Sequence, residues 1–207
     1  MPQILTDAAC SAAFRGAAIG FHGKIPARGD FVQKGLPRSF TEPWDSWMQQ
    51  MLTTSRSALG DAWLPAWRAG TVWRFALTPG SCGPDAALGV WTPSVDSVGR
   101  YFPLTLAGIV PDTNGPILIR HGGSFLAAME DAARDAVKKE LAPDDLTARI
   151  TDAPLASPSD PDVDPSLCPD EGGLWWTTAA SPGTEIIFTS TRLPDAGTFC
   201  AMLNLFA

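Results

Sequence analysis

A chain of 207 residues in which 45% are hydrophobic is long enough to bury the core of one domain. Its net charge of −7 argues against the basic surface of a nucleic-acid-binding protein and against direct adhesion to an anionic membrane. The four cysteines are far apart and include no CxxC pair, so we expect free thiols in a reducing, cytoplasmic compartment rather than a zinc site or a disulfide scaffold.

The predicted elements begin after an N-terminal tail, residues 1–18, which lacks the segments of a signal peptide and which we expect to be flexible. A domain at residues 19–207 follows. None of its apolar runs approaches the length of about 20 residues that a helix needs to cross a bilayer. A short strand is predicted over residues 17–23. An extended piece is expected around Phe31 and Val32.

A long helix is predicted to begin near Ser39 or Thr41, either of which can cap it, and to end at Gly60. Its apolar residues recur with the period of one helix face. They are Phe40, Trp44, Trp47, Met48, Met51 and Leu52. A shorter helix through Trp63 and Trp67 is expected to follow.

The middle of the chain is predicted to form three strands and one helix. Residues 71–78 alternate in the manner of a half-buried strand, and residues 87–92 and 101–110 are further strand candidates. Residues 111–115 have the Pro, Asn and Gly of a turn. A helix over residues 124–141 is then expected, followed by a short helical turn.

Residues 151–173 contain six acidic residues and no Lys or Arg, which predicts a mobile acidic loop. A strand pair at residues 174–178 and 185–190 and a final amphipathic helix after residues 193–195 complete the chain. This order does not alternate as βαβ units do. It predicts a single α+β domain in which a mixed, largely antiparallel sheet is flanked by helices.

The first of two polar motifs that interrupt these core-forming segments covers residues 21–32. It sets Lys24, Arg28 and Asp30 among Gly and Pro, which shape turns, and it runs directly into an apolar stretch. One interpretation is a turn that binds an anionic group or a partner loop. The other is a surface turn in which the charged residues only pair with their neighbours.

The second motif, residues 92–104, has the same character and contains Asp96 and Arg100. Asp96 can accept backbone N–H groups of its own turn. We expect an ion pair to tie the two motifs together. The two candidate pairs are Arg100 with Asp30 and Arg28 with Asp96.

A serine hydrolase would need Ser94 as nucleophile, His22 as base and Asp96 to orient the base. The chain has no GxSxG elbow, no GxxxxGK[ST] loop and no GxGxxG after a strand, so we expect neither a catalytic residue nor a cofactor. The acidic run at residues 160–164 has the spacing of a calcium loop but lacks its Gly and is disturbed by prolines. No metal site is therefore predicted.

The two motifs resemble the signatures of a known family, the TagF/ImpM accessory proteins of the bacterial type VI secretion system. Further agreement with the family lies between and after the motifs. The matching segments are residues 23–32, 35–37, 44, 45 and 47, 93–96, 99–104, 175–177 and 193–195. The resemblance covers about residues 20–206, and two long motifs in the right order make it specific.

The resemblance implies a cytoplasmic α/β-type domain without established catalytic activity. It also implies a post-translational repressor of type VI secretion that binds the forkhead-associated scaffold protein of the system and opposes its kinase-driven activation. Two residues depart from the family pattern. His22 stands where an aromatic residue is expected, and Ser97 stands where a basic residue is expected, so we expect weaker binding at that end of the second motif.

We predict that charged and polar residues of both motifs form one surface for a partner or ligand. Its members are Lys24, Arg28, Asp30, Ser94, Asp96 and Arg100. The two Arg would bind carboxylate or phosphate groups bidentately, and the two Asp would orient them. Core residues Trp44, Trp47 and Tyr101 are expected beneath. The alternatives are a small hydrolase or a nucleotide- or phosphate-binding enzyme that uses this set without the Lys, and a purely structural role for both motifs.

Overall fold

The centre of the molecule is a sheet of seven strands in which every neighbouring pair is antiparallel. The computed structural model describes residues 14–153, 161, 163–178 and 185–204, so most of the predicted tail lies outside the described residues. The strands are β1 Ala18–Gly23, β2 Val32–Lys34, β3 Trp73–Leu77, β4 Ala86–Thr92, β5 Leu104–Val110, β6 Gly173–Trp176 and β7 Ile187–Ser190. Their spatial order is β2-β1-β5-β4-β3-β6-β7.

Helices cover both faces of this sheet, which confirms the α+β class. They are α1 Arg38–Leu59, α2 Trp63–Ala69, α3 Gly115–His121, α4 Gly123–Lys138, α5 Pro143–Thr151 and α6 Ala196–Asn204. One face packs against α1, α2 and α6, and the other packs against α3, α4 and α5. Within the described ranges, no helix has the length and apolar character needed to cross a membrane.

The central strands β3, β4 and β5 are buried at every position. The prediction of a half-buried strand over residues 71–78 is therefore wrong, although its alternation is real. Arg74 looks like a solvent-facing residue in the sequence. In the structure its Nε donates to Oε2 of Glu130 on α4 at 2.7 Å, so a buried ion pair lies where we expected a solvated face.

The face under α1 is rich in Trp, and several of its indole N–H groups bond to distant parts of the chain, although that of Trp91 has no partner among the described atoms. Nε1 of Trp44 donates to Oγ1 of Thr105 at 2.9 Å, which ties α1 to β5. Nε1 of Trp47 donates to the carbonyl oxygen of Pro194 at 2.7 Å, which ties α1 to the segment before α6. Tyr101 is half-buried at the margin of this aromatic layer.

The start of α1 differs from the sequence-based expectation, because neither Ser39 nor Thr41 caps it. The helix begins at Arg38, directly after Pro37, which has an extended conformation and no capping side-chain bond. The backbone N–H of Thr41 donates to the carbonyl oxygen of Pro37 at 3.0 Å. The predicted apolar stripe is confirmed, since all six of its residues are buried.

Helix α3 was not predicted from the sequence, and α5 is longer than the short helical turn expected there. Residues 111–115 have turn chemistry, but Asn114 also acts as the N-cap of α3, where its side chain accepts the backbone N–H of Ile117 at 3.1 Å. Pro116, in the first turn of α3, is a second helix-start signal. The sequence therefore contained the information for this helix.

The predicted acidic loop, residues 151–173, is only partly described, because residues 154–160 and 162 fall outside the described residues. The C-terminal part of this segment packs on the core, where Val163 and Cys168 are buried. Burial raises the pKa of the Cys168 thiol to about 11. The mobility of the segment stays a prediction.

Gly89 of β4 is a packing constraint that the structure makes testable, since it pairs with Phe75 of β3. A Cβ at this position would lie 2.4 Å from the carbonyl oxygen of Leu106 and 2.8 Å from Cζ of Phe75. We expect Gly89→Ala to lower the free energy of unfolding by about 1–3 kcal/mol through overpacking, as measured by urea titration.

The matched control for this variant is Gly197→Ala. Gly197 is exposed in α6, and a Cβ there would meet one side-chain atom at an ordinary 3.6 Å. Ala is the better helix former, so this variant should keep its stability or gain up to about 1 kcal/mol. An equal loss of stability in both variants would contradict the packing argument.

Candidate functional site

The two polar motifs meet at one end of the sheet because the strands that carry them are neighbours. β1 runs into the first motif, and β5 begins at the last residue of the second motif. The two strands pair with each other, and Gly23 lies opposite Leu104. Gly23 has a φ of 141°, and a Cβ there would lie 2.0 Å from the carbonyl oxygen of Pro103. Glycine is therefore required for this close approach.

The carboxylate of Asp96 is the centre of the contact between the motifs, and its side chain is fully buried. It accepts hydrogen bonds from the backbone N–H of Val98 at 3.1 Å and that of Arg100 at 2.8 Å. Nε of Arg100 at 2.7 Å and Nζ of Lys24 at 2.6 Å complete its shell. Burial alone would raise the pKa of Asp96, but these donors hold it well below its usual range. We call Lys24, Asp96 and Arg100 the motif junction.

Bonds to the backbone of the first motif reinforce the motif junction. The backbone N–H of Ser97 donates to the carbonyl oxygen of Arg28 at 3.0 Å. Nη2 of Arg100 donates to the carbonyl oxygen of the next residue, Gly29. Both motifs therefore form one rigid unit, in which Arg28 and Arg100 are neighbours.

Neither of the ion pairs expected from the sequence is formed. Arg100 bonds to Asp96, which lies four residues earlier in the same turn, and Lys24 is the cation that crosses between the motifs. Lys24 directly follows β1 and so lies beside the second motif. Arg28 and Asp30 are farther out in the turn, and neither has an ion pair among the described residues.

The predicted site residues differ strongly in exposure, so they do not present their side chains equally to a ligand. Ser94 and Asp96 are each 3% exposed, and the side chain of Lys24 is largely buried as well. The accessible members are Arg28, Asp30 and Arg100. The role of these residues in binding stays a prediction. The buried members could act only by holding the exposed ones in place.

Two exposed apolar side chains lie beside these charges, and the sequence analysis did not single them out. Phe31 is 41% exposed and Val98 is 67% exposed. The ring of Phe31 is held by the rings of His22 and Phe102, each 4.8 Å away between centroids. The sequence does contain a signal for them, because Phe31 and Val98 are apolar residues inside polar turn motifs. We define the exposed patch as Arg28, Asp30, Phe31, Val98 and Arg100.

The described residues do not assemble the triad of a serine hydrolase. Nε2 of His22 lies 3.4 Å from Oδ1 of Asp45, not near Ser94, whose Oγ has no hydrogen-bond partner. Burial lowers the pKa of His22, although Asp45 opposes this shift, so the imidazole is neutral at pH 7. No group of His, Cys, Asp and Glu in the described part of the chain could hold a metal ion.

The family model described as the TagF N-terminal domain, type VI secretion system-associated, matches residues 20–153, which include both motifs. The chain belongs to the TagF family. A solved structure, that of PA0076 from Pseudomonas aeruginosa PAO1, is similar with a TM-score of 0.75 and 30% sequence identity. The similarity covers 90% of this chain and 94% of that one. No curated protein matches the chain. The family resemblance predicted from the two motifs is thus confirmed, and this TagF-family protein is associated with type VI secretion.

The motif junction predicts a large effect for a single change of charge. We expect Asp96→Asn to lower the free energy of unfolding by about 2–3 kcal/mol at pH 7, because Lys24 and Arg100 lose a charged acceptor. Asp30→Asn is the matched control, since this carboxylate is exposed, and it should be neutral. Urea unfolding followed by Trp fluorescence measures both variants.

The contribution of Asp96 should depend on pH in a defined direction. Its pKa is lower in the folded protein than its ordinary value of 3.8, so its stabilising effect is fully present above that value and is lost as the pH falls further. The stability difference between wild type and Asp96→Asn should therefore shrink between about pH 5 and pH 2. A difference that stays constant over this range would contradict the charged network.

Proposed function

We propose that this TagF-family protein is a non-catalytic accessory regulator of the type VI secretion system and that it works by binding another protein. The partner in this proposal is the forkhead-associated scaffold protein of the system, and the effect of binding is post-translational repression of secretion. The site of action is the cytoplasm. The free thiols of Cys82, Cys168 and Cys200 support a reducing compartment.

The observation that carries the binding role is the exposed patch on its rigid foundation. Arg and aromatic side chains such as Phe31 are enriched in protein interfaces, and Arg is frequent among the residues that dominate the binding energy. The buried motif junction fixes the turns that present these side chains, so little conformational entropy is lost when a partner binds. The patch best fits an acidic partner segment that also carries an apolar residue.

The two Arg of the patch have different tasks in this proposal. Arg28 is exposed and has no ion pair among the described residues, so its guanidinium can bind a partner carboxylate bidentately. Arg100 is held by Asp96 and Gly29, while its side chain remains 59% exposed. It is therefore already oriented before a partner arrives.

The proposed absence of catalysis is supported by the state of the available reactive groups. The carboxylate of Asp96 is buried and accepts four bonds, which leaves it unable to take a proton from a substrate. Burial raises the pKa of the Cys82 thiol to about 12, so it does not form a nucleophilic thiolate at neutral pH. Oγ of Ser94 has no hydrogen-bond partner in the described part of the chain, so no base there is bonded to it.

The double variant Arg28→Glu/Val98→Asp tests this proposal. It should bind the purified scaffold protein at least about tenfold more weakly than wild type, because it places like charge and a desolvation cost in the interface. Isothermal titration calorimetry measures the binding, and circular dichroism checks the fold. Arg120→Glu, in α3 beyond the opposite end of β5, is the matched control and should bind as wild type does.

The possible outcomes test the identity of the partner and the location of the interface separately. If the wild-type protein does not bind the scaffold, the proposed partner is wrong. If wild type and the double variant bind it equally, the interface lies outside the exposed patch. In cells, excess wild-type protein should suppress type VI secretion and the double variant should not, so equal suppression by both would also contradict the role of the patch.

A further inference from the structure

A cleft of about 930 Å³ lies beside the second motif, and its described lining includes no residue of the exposed patch. Its walls are the C-terminal end of α2, the approach to β3, the end of β4 and the C-terminal part of α4. Residues 94–97 of the second motif form one further side. The volume falls within the about 300–1,000 Å³ that is common for small-molecule sites.

The accessible charges of this cleft are positive, although the chain has a net charge of −7. The cations that line it are Arg68, Arg134 and Lys138. Among the lining residues described, the carboxylate is that of Asp96, which is shielded from solvent and engaged by the motif junction. An anionic ligand would therefore meet cations here without repulsion from an accessible carboxylate in the lining.

Arg134 is held at the cleft wall by a buried carboxylate. Glu130 accepts hydrogen bonds from Nη2 of Arg134 at 2.5 Å, from Nε of Arg74 at 2.7 Å and from Oγ1 of Thr178 at 2.7 Å. Burial would raise the pKa of Glu130, but these donors lower it, so Glu130 stays charged. The side chain of Arg134 remains 39% exposed, which leaves part of it available to a ligand.

Lys138 and Arg68 are free to bind an anion more directly. Lys138 lies one turn after Arg134 on the same face of α4, is exposed, and has no ion pair within the described ranges. Nη2 of Arg68 donates to the hydroxyl of Tyr101 at 3.3 Å, a neutral acceptor that does not cancel its charge. The three cations therefore reach the cleft from two helices.

The remaining walls favour a ligand with an organic body over a bare anion. Pro93, Tyr101 and Val137 contribute apolar surface. Ser94 also lines the cleft, and its buried Oγ has no hydrogen-bond partner among the described atoms. A buried hydroxyl without a partner is rare in folded proteins and is a reason to look for a missing ligand or water.

We propose that this cleft binds a small organic phosphate of nucleotide size. The phosphate lies among Arg68, Arg134 and Lys138, and the planar body of the ligand lies against Tyr101. The second motif forms a wall of the cleft and also presents Val98 of the exposed patch. A bound ligand therefore contacts the turn that shapes the patch, whichever protein partner the patch binds.

Calorimetry with the wild-type protein tests this site. The probes are AMP, GMP, CMP and UMP, each compared with its nucleoside, and inorganic phosphate. We expect at least one nucleotide to bind, and its nucleoside to bind at least about tenfold more weakly because the cations lose their charged acceptor. Inorganic phosphate should also bind more weakly, because it lacks the organic body.

The variant that locates the site is Arg68→Ala/Lys138→Ala. It should weaken nucleotide binding at least about tenfold. Lys139→Ala is the matched control, because Lys139 is the next residue but pairs with Asp135, Nζ to Oδ1 at 3.0 Å, and does not line the cleft. It should bind as wild type does, and circular dichroism should show that both variants fold.

Four results would overturn the proposal: no binding of any of the four nucleotides, equal binding of nucleotide and nucleoside, equal binding of nucleotide and inorganic phosphate, or unchanged binding by the double variant. The scaffold titration proposed above is independent of these results. A protein that binds the scaffold but no nucleotide would leave the proposed regulator intact and remove only this site.

Discussion

A buried carboxylate organises the end of the sheet at which the two polar motifs meet. Asp96 accepts two backbone N–H groups and one cation from its own turn, and a second cation from the neighbouring motif. Its cost of burial is offset only while all four donors stay in place, so the turn has one stable conformation. The orientation of Arg100 and the position of Val98 both follow from it. The exposed patch therefore depends on the charge of Asp96, which is buried and inaccessible to a partner.

The second motif serves two different surfaces at once. Its outer residues contribute to the exposed patch, and its inner residues line the cationic cleft. Beneath it, Nε1 of Trp67 donates to the carbonyl oxygen of Ser94 at 3.0 Å and anchors the motif to the aromatic layer. A short turn can contribute to two surfaces, both proposed to bind, because its backbone is fixed from inside.

Local patterns predicted the elements better than the contacts between them. The stripe of α1 was readable because its helical period reflects burial directly. The positions of the strands were also readable, but the alternation of β3 did not report its burial, because both faces of this central strand are covered. The burial of Arg74 was not readable, because its partner Glu130 is distant in sequence. The family and the meeting of the two motifs were predicted, but the cation that reaches Asp96 was not. The sequence shows which charged residues a turn contains. Whether Lys24 or Arg28 pairs with Asp96 depends on the register of β1 with β5, which the sequence does not show.

The strand order also determines when the patch can exist. β1 pairs with β5, so the contact of Gly23 with Leu104 joins residues that are far apart in the sequence. Contacts of such sequence separation close late and make folding slow. The bond between Lys24 and Asp96 forms across this same pairing. The ordered patch therefore requires the completed β1–β5 pairing, and in the proposed role a partner that contacts both motifs would bind only a chain in which this pairing is formed.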